Sequence, residues 1–411
     1  MKKLFICYHS KYKHEVDTLA EELRLRGIVP WLDHEDFALG VSTADEAARA
    51  ITKECWGLLL YATRTVFTRP FVRDIEIPAL LSALGKKRSF RAIPVLRGIG
   101  YPELKTLSAG HFGRSLAGFH GSQDLKDLPL RSPSTDDLRR SCAEVARGAL
   151  RSRLALVPLS DSGAALSLRI KTRNTDAPGK QERLYVDAAN QLDGDGAFSP
   201  EAWKGVRAGL VDVRDAITER FGDRRLSVCG RFHLSLAFLL AGLFPQPRGV
   251  ALDIEQHTGA SSAVWSTDAV PSRAPRVVIE VRDLAGTDGP LVVGLSISQL
   301  VGDAAEKLLK TLGRKAVRYL HVMPKGGPSR ECVSDAAACC GLARAIAREI
   351  LQQRSQKPFT GLHVLACVPQ SLAIMIGRHL NTLGPIQLYE YDPEACRYRP
   401  SVEFTVPLAG R

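Results

Sequence analysis

The sequence predicts an α/β protein in which one doubly wound parallel domain precedes two fused Rossmann-like units. Strand-like and helix-like stretches alternate over residues 1–115, as they do in parallel α/β domains. A segment rich in Gly, Ser, Asp and Pro follows at 116–136 and is typical of a linker. Beyond it, two long stretches match each other without gaps, which indicates an internal duplication.

The first domain is predicted from apolar strands that alternate with amphipathic helices. Its strands are predicted at 3–8, 28–33, 56–63 and 90–98, and its helices at 13–27, 42–54 and 71–84. Leu19 and Leu23 lie on the apolar face of the first helix, and Gly27 supplies its C-cap. The strand WGLLLYAT is continuously apolar, as the interior strands of a parallel sheet are.

The duplication becomes visible when RLSVCGRFHLSLAFLLAGLF (225–244) is written above GLHVLACVPQSLAIMIGRHL (361–380). A Ser-Leu-Ala triplet falls at the same place in both, and the register extends to a helix before and a strand after each stretch. Ligands of such units bind outside the carboxyl ends of the strands. We therefore expect the strand-to-helix turns at 230–235 and 366–371 to face one shared groove.

These features predict the division of the chain, which at 411 residues is too long for one hydrophobic core. Residues 1–134 are expected to hold the first domain and the linker, and residues 135–154 a connecting helix. The duplicated domain is expected at 155–411, with halves at about 155–285 and 286–411.

Composition restricts the partners and the compartment. The formal net charge of +12 fits either simple solubility or an anionic partner, but no Lys/Arg block or zinc-finger pattern indicates long nucleic acid. A small phosphate-bearing ligand fits this charge. The nine cysteines form no C-x-x-C pair, so we expect no metal site and a reducing, cytoplasmic setting. No apolar run approaches the ~18 residues of a membrane span, and MKKLFICYHS is not typical of a signal peptide.

Three segments of the first domain are expected to meet at the carboxyl edge of its sheet. They carry the candidate residues Tyr8, His9 and Ser10, then Trp31, Asp33, His34 and Phe37, and then Glu76. A carboxylate in an aromatic-lined cleft can stabilise a cationic transition state or position a sugar hydroxyl. Glutamate is also favoured in the first turn of any helix, so a purely structural role for Glu76 stays open.

The stretches FICYHSKYKHEVDTLAEELRLRG, WLDHEDF and RPFVRDIEIPALL resemble a TIR domain, which has a flavodoxin-like fold, over about the first third of the chain. The resemblance implies an NAD-cleaving enzyme whose catalytic carboxylate is Glu76, with a BB loop at 33–41. The sequence departs from the family's W-x-x-x-E-like pattern. Phe71 replaces the Trp and the spacing to Glu76 is one residue longer, so Asp74 remains an alternative carboxylate.

The stretches HLSLAFLLAG, VPQSLAIMIGRHLN and IQLYEYDPEACRYRP resemble a SAVED domain, which consists of two fused CARF-like units. This resemblance implies a sensor of cyclic oligonucleotides, and the pair of domains resembles an effector of CBASS antiphage defence. The candidate nucleotide-binding residues are Phe232, His233, Trp265, Lys325, Arg330, Pro369 and Gln370. Trp265 could either stack on a base or fill the core.

The two resemblances together imply a hydrolase that releases nicotinamide from NAD+ and so depletes NAD+ during infection. A cyclic oligoadenylate, expected to be a trinucleotide, would activate it by inducing head-to-tail oligomers or filaments. NAD+ is then a substrate, and no cofactor is expected. The alternative is a non-enzymatic TIR scaffold that senses a cyclic nucleotide. The ring size, linkage and bases of the activator stay open, as does a linear or cyclic ADP-ribose product.

Overall fold

The computed structural model describes residues 1–130, 132–159, 165–173, 182–258, 261–272, 276–381 and 383–406. The chain forms two compact units. The first comprises Met1–Ser160 and Pro178–Val186, and the second comprises Asp161–Ala177 and Asp187–Arg411.

The first unit is built on four parallel strands, β1 (Lys3–Cys7), β2 (Pro30–Trp31), β3 (Cys55–Ala62) and β4 (Arg91–Leu96). Their order in the sheet is β2-β1-β3-β4, as in doubly wound flavodoxin-like folds. This arrangement confirms the predicted α/β fold with a parallel sheet. Strand β2 is shorter than predicted because a helical turn already begins at Asp33.

The helices of the first unit are α1 (Lys13–Leu25), α2 (Asp33–Asp36), α3 (Thr43–Arg49), α4 (Ile77–Lys86), α5 (Tyr101–Phe112) and α6 (Thr135–Leu154). A 3-10 turn at Ser10–Tyr12 precedes α1. Two π-helical turns also occur, at Ala50–Glu54 after α3 and at Val72–Glu76 before α4. The predicted C-cap Gly27 has φ 78°, in the left-handed region that glycine tolerates.

The segment predicted as linker and connecting helix packs within the first unit. Leu116 and Leu125 are buried, and Ser122 exchanges backbone hydrogen bonds with β4. Leu138 and Val145 of α6 join the hydrophobic cluster that contains the apolar face of α1. This largely polar segment is therefore held against the sheet and α1 by four buried apolar side chains, those of Leu116, Leu125, Leu138 and Val145, because their burial withdraws them from water.

A buried ion pair fixes the elements around the sheet. Arg97, which is 1% exposed, bonds the Glu15 carboxylate through Nε at 2.7 Å and Nη2 at 3.1 Å. Tyr61 of β3 donates to the same carboxylate, and Arg97 also donates to the carbonyls of Leu128 and Pro129. The pair is compensated by several hydrogen bonds, as a buried charge requires.

The strands from the unit boundary onward are β5 (Leu166–Lys171), β6 (Leu184–Asp187), β7 (Leu226–Cys229), β8 (Leu252–Thr258), β9 (Ser261–Ser266), β10 (Val277–Asp283), β11 (Leu291–Ser296), β12 (Arg318–Pro324), β13 (Leu362–Cys367), β14 (Pro385–Asp392) and β15 (Arg397–Thr405). The helices are α7 (Ala189–Leu192), α8 (Pro200–Phe221), α9 (Leu234–Leu243), α10 (Gly302–Leu312), α11 (Ala336–Gln356) and α12 (Gln370–Gly377). None of the described helices combines the length and apolar character that crossing a membrane requires.

The second unit contains one sheet for each half of the duplication. In one sheet, β5, β7 and β8 run parallel and β9 is antiparallel. The other has six strands in the order β10-β12-β11-β13-β14-β15, with antiparallel edges. The predicted division near residue 285 would place β10 in the first half. In the structure β10 pairs with β12, so it belongs to the second half.

The two halves meet through α9 and α12, the helices that follow the duplicated strands β7 and β13. A Cβ at Gly377 would lie 2.7 Å from Cβ of Ala241 and 3.2 Å from the ring of Phe238. Glycine at this position therefore permits the close approach of the two helices. Their contact brings the turns that precede them side by side.

Candidate functional site

Glu76 lies at the end of the π-helical turn that precedes α4. The backbone N–H of Ile77 donates to the carbonyl of Val72, five residues back, which widens the turn by one residue. Phe71 and Glu76 are also five residues apart. The π turn therefore places them on the same side of the helix, just as an α-helix places residues that are four apart. The extra residue in this stretch of the sequence is accommodated by the π turn.

The Glu76 side chain is only 8% exposed, and its Oε2 has no hydrogen-bond partner among the described residues. Burial raises the pKa of Glu76 to about 7; a hydrogen bond from the Cys7 thiol opposes this shift, and the charge of Asp33 adds to it. Cys7 ends β1 and Asp33 follows β2, so two strand ends and the π turn converge as predicted. A buried carboxyl with a free oxygen is suited to interact with a bound molecule.

Asp74, the alternative carboxylate, has different surroundings. Its side chain is 53% exposed and pairs with Arg73 at 2.7 Å. This hydrogen bond to Arg73 lowers the pKa of Asp74. Asp74 is therefore a solvated, paired surface charge.

Tyr8 connects the end of β1 to the start of α2. Its hydroxyl donates to Asp33 Oδ1 at 2.7 Å and lies 3.1 Å from Nδ1 of His34. Burial, followed by the bond to Asp33, raises the pKa of Tyr8, so the phenol stays protonated. His34 thereby lies beside Tyr8 and Asp33, in the segment that was expected to reach this edge of the sheet.

Trp31 and Phe37 differ in how deeply their rings are buried. Trp31 is 3% exposed and stacks on Phe5 with ring centroids 4.5 Å apart. Phe37 is partly buried and meets Trp31 edge to face at 5.1 Å. Trp31 therefore lies in the core beneath Phe37, and the partly exposed ring of Phe37 is the one available to a ligand.

His9 and Ser10 belong to the 3-10 turn that precedes α1. Nδ1 of His9 accepts a hydrogen bond from the backbone N–H of Lys11 at 3.0 Å, so His9 caps this turn. Burial and the neighbouring charge of Arg69 lower the pKa of His9, which favours the neutral imidazole. Ser10 is exposed at the start of the turn.

In the second unit, each half caps a helix of the other half. The backbone N–H of Ser235 in α9 donates to Oε1 of Glu390 in β14 at 2.7 Å. The backbone N–H of Ser371 in α12 donates to Oε1 of Gln256 in β8 at 3.2 Å. Glu390 and Gln256 are not among the residues predicted from the sequence, although the repeat alignment sets their two strands at equivalent positions.

The two duplicated turns also contact each other directly. Gln370 donates through Nε2 to the carbonyl of Gly230 at 3.2 Å and accepts through Oε1 from the N–H of Phe232 at 3.4 Å. Pro369 is partly buried beside Gln370, and Phe232 is 7% exposed. The structure thus brings together three of the predicted nucleotide-binding residues.

His233 and Trp265 are buried. Nδ1 of His233 lies 2.8 Å from Oγ1 of Thr172, which also accepts the backbone N–H of His233, and burial lowers the pKa of the imidazole. Trp265 is 4% exposed on β9, where it pairs with Ile254 of β8. Trp265 fills the core, because its ring is withdrawn from any surface on which a base could stack.

Lys325 and Arg330 lie exposed in the loop that follows β12. The backbone N–H of Ser329 donates to the carbonyl of Ile297 at 3.0 Å, which ties this loop to the end of β11. Burial raises the pKa of Cys367, at the end of β13, and the nearby charge of Arg330 counteracts the effect. Arg330 therefore lies at the carboxyl edge of the six-stranded sheet.

Comparison with protein families gives two matches. Residues 4–124 match the TIR domain. Residues 211–404 match SAVED, which is described as the "SMODS-associated and fused to various effectors sensor domain". Both matches confirm the resemblances found in the sequence.

A curated relative, CD-NTase-associated protein 4 from Enterobacter hormaechei subsp. hoffmannii (strain UCI 50), is 23% identical over 182 residues. The match covers 44% of this chain and 36% of that protein, so the chain corresponds to only about a third of the relative's length.

Two solved structures of an Acinetobacter baumannii Cap4 SAVED/CARF-domain containing receptor are also similar. The complex with the cyclic trinucleotide 2'3'3'-cAAA has a TM-score of 0.50 at 14% identity and covers 90% of this chain and 86% of that chain. The complex with 3'3'3'-cAAA has a TM-score of 0.48 at 12% identity and covers 97% and 100%. The first of these shows a shared fold.

Proposed function

We propose that this chain, which carries an N-terminal TIR domain and a C-terminal SAVED domain, hydrolyses NAD+ when a cyclic oligonucleotide occupies the SAVED domain. The observation that carries the proposal is the buried Glu76 carboxyl with its unpartnered oxygen. It lies where the segments after β1 and β2 converge, beside the polar pair Tyr8 and Asp33. This combination suits a reaction that develops positive charge on a sugar.

In the proposed reaction, the bond between the ribose C1′ and the nicotinamide nitrogen breaks, and its electron pair leaves with neutral nicotinamide. The ribose acquires oxocarbenium character, which the ionised Glu76 stabilises through its free oxygen. Tyr8 and Asp33 bind the ribose hydroxyls, and Phe37 packs against the nicotinamide ring. Attack of water on C1′, with loss of its proton, gives linear ADP-ribose, whereas attack by the adenine ring of the same molecule gives the cyclic product.

The activator is proposed to bind across the turns 230–235 and 366–371. Gln370 and Pro369 lie at the junction of the two halves, and Arg330 and Lys325 supply exposed positive charge for phosphates. The A. baumannii receptor of similar fold was solved with the cyclic trinucleotide 2'3'3'-cAAA, which supports the same ligand class here. The curated relative's name supports an association with a CD-NTase, as in CBASS antiphage defence, and depletion of NAD+ is the proposed means of that defence.

Activation is proposed to proceed through assembly into head-to-tail oligomers or filaments. Leu39, in the BB loop 33–41, is fully exposed, and Val41 at the end of the loop is 51% exposed. Exposed apolar side chains of this kind mark interaction surfaces. A second copy of the TIR domain would cover them and complete the cleft around Glu76.

The proposal is tested by measuring nicotinamide release from NAD+ by the full chain, with and without a panel of cyclic di- and trinucleotides. We expect release only with one class of cyclic nucleotide. We also expect the rate to rise more than linearly with protein concentration, while light scattering reports growing particles. Chromatography of the products distinguishes linear from cyclic ADP-ribose. Binding of a cyclic nucleotide without any cleavage of NAD+ would instead identify a non-enzymatic scaffold.

The variant Leu39→Asp tests the assembly step. It should lower nicotinamide release and particle size without weakening nucleotide binding, because Leu39 lies in the first unit and the proposed nucleotide site in the second. Full activity of a species that stays monomeric at every concentration would refute activation by assembly.

A further inference from the structure

The second unit contains a cavity of about 260 Å³ that lies apart from the proposed nucleotide site. It is lined by Gln246, Gly249, Thr267, Asp268, Cys340, Arg344, Met375, Arg378 and His379. The cavity lies beyond the ends of α9 and α12, whereas the turns 230–235 and 366–371 precede the same helices. It therefore lies at the amino edge of the strands, opposite to the edge where the duplicated turns meet.

Arg378 is the buried cation of this cavity. It is 6% exposed, and its Nη2 donates to the carbonyl of Val250 at 2.9 Å. Its Nη1 has no hydrogen-bond partner among the described residues. Burial lowers the pKa of Arg378 to about 10, and the charge of Asp268 opposes this shift. A guanidinium that is still charged at neutral pH thus lines the cavity with one unused donor, which is costly unless an acceptor is bound.

The other charged groups of the cavity leave it positive. Arg344 reaches it from α11 with an exposed side chain, and His379 follows Arg378 in the chain. The single acid, Asp268, accepts a hydrogen bond from Nη2 of Arg225 at 2.7 Å, so its charge is already paired. Two guanidinium groups and an imidazole therefore face a space with no unpaired acid among its lining residues.

We infer that this cavity binds a phosphate group carried by a small molecule or present as free phosphate. Guanidinium groups bind phosphate oxygens in a planar, two-pronged geometry, and Arg344 and Arg378 line one space. The cavity is smaller than the roughly 300–1,000 Å³ of sites for drug-sized ligands, so its size suits a phosphate group better than a cyclic trinucleotide. The site is additional to the proposed activator site and does not depend on NAD+ cleavage.

The inference is tested by calorimetric titration of the full chain with inorganic phosphate at constant ionic strength. Arg344→Gln should weaken phosphate binding roughly tenfold or more, since a charge-assisted hydrogen bond is lost. Arg348→Gln is the matched control, because it removes an exposed arginine one turn further along α11 that does not line the cavity. Equal weakening by both variants would show general charge attraction and overturn the inference, as would the absence of phosphate binding to the unaltered chain.

A second variant tests the buried cation. Arg378→Met keeps an unbranched side chain without the charge, and phosphate should then no longer raise the melting temperature as it does in the unaltered chain. If this variant fails to fold, the comparison of Arg344→Gln with Arg348→Gln decides the matter. Titration with ribose 5-phosphate identifies the source of the anion: tighter binding than inorganic phosphate indicates a phosphate ester, and weaker binding indicates the free ion. A phosphate-induced rise in melting temperature that persists in a folded Arg378→Met variant would contradict the assignment.

Discussion

Two buried glutamates, one in each unit, show how different surroundings give the same side chain different uses. Glu76 and Glu390 are 8% and 9% exposed. Glu390 accepts the backbone N–H of Ser235 in the first turn of α9, where the helix dipole favours a negative charge. Glu76 follows a π turn, and its Oε2 has no partner among the described residues. Although the two carboxylates are equally buried, Glu390 joins the two halves through a hydrogen bond, whereas Glu76 has one oxygen available to a ligand.

The largest expected effect is on catalysis, from a change that keeps the shape of Glu76 and removes its charge. Glu76→Gln should lower NAD+ cleavage by about a hundredfold or more, because one group that stabilises developing charge is lost. Binding of the cyclic nucleotide should be unchanged. Asp74→Asn is the matched control and should retain activity, since Asp74 is exposed and paired with Arg73. Near-normal nicotinamide release by Glu76→Gln together with loss in Asp74→Asn would transfer the role to Asp74.

The second effect is on stability and depends on pH. Because the pKa of Glu76 is raised from 4.5 to about 7, the folded protein binds this proton more tightly than the unfolded chain does. Stability should therefore fall as pH rises from about 4.5 to 7, by an amount on the order of 3 kcal/mol. Glu76→Gln removes this penalty, so thermal melting should show a stability gain at pH 8 that is absent at pH 4.

Glu390→Gln serves as the comparison in the melting experiment. Its carboxylate is hydrogen-bonded at a helix N-terminus, so the substitution should give no gain at pH 8. A stability gain at pH 8 as large as that of Glu76→Gln would mean that burial alone, and not hydrogen bonding, determines how much each ionised carboxylate destabilises the fold.

A smaller effect is expected when the reciprocal caps of the second unit are removed. Glu390→Ala should lower the free energy of unfolding by about 1–2 kcal/mol, because the N–H of Ser235 loses its acceptor. Gln256→Ala should cost less because Gln256 is uncharged, although its Oε1 accepts hydrogen bonds from both the backbone N–H and the hydroxyl of Ser371. Urea unfolding measures both variants. An unchanged unfolding midpoint for both would show that the caps do not hold the halves together.

The smallest effect concerns the pH dependence of NAD+ cleavage. If ionised Glu76 is the active form, kcat/KM should rise with pH and reach half its maximum near pH 7. Asp33→Asn removes a neighbouring negative charge and should move this midpoint to lower pH. Cys7→Ala removes the hydrogen bond from the thiol and should move it to higher pH. Shifts of both midpoints in the same direction would contradict the roles of these two neighbours.

The sequence by itself determined the features that depend on local pattern. The apolar run of β3, the C-cap at Gly27 and the helices of the repeat were predictable, because side-chain periodicity and cap residues act within a few positions. The convergence of Tyr8, Asp33 and Glu76 was also predictable, since parallel strands place their carboxyl ends at one edge.

Only the tertiary structure decided which of these residues are buried and which polar groups have partners. An aromatic residue at a strand end can face the core or a cleft, and packing placed both Trp31 and Trp265 in cores. The caps from Glu390 and Gln256 and the cavity around Arg378 join residues more than a hundred positions apart. No local pattern encodes such pairs, because burial and hydrogen bonding are properties of the assembled fold rather than of neighbouring residues in the chain.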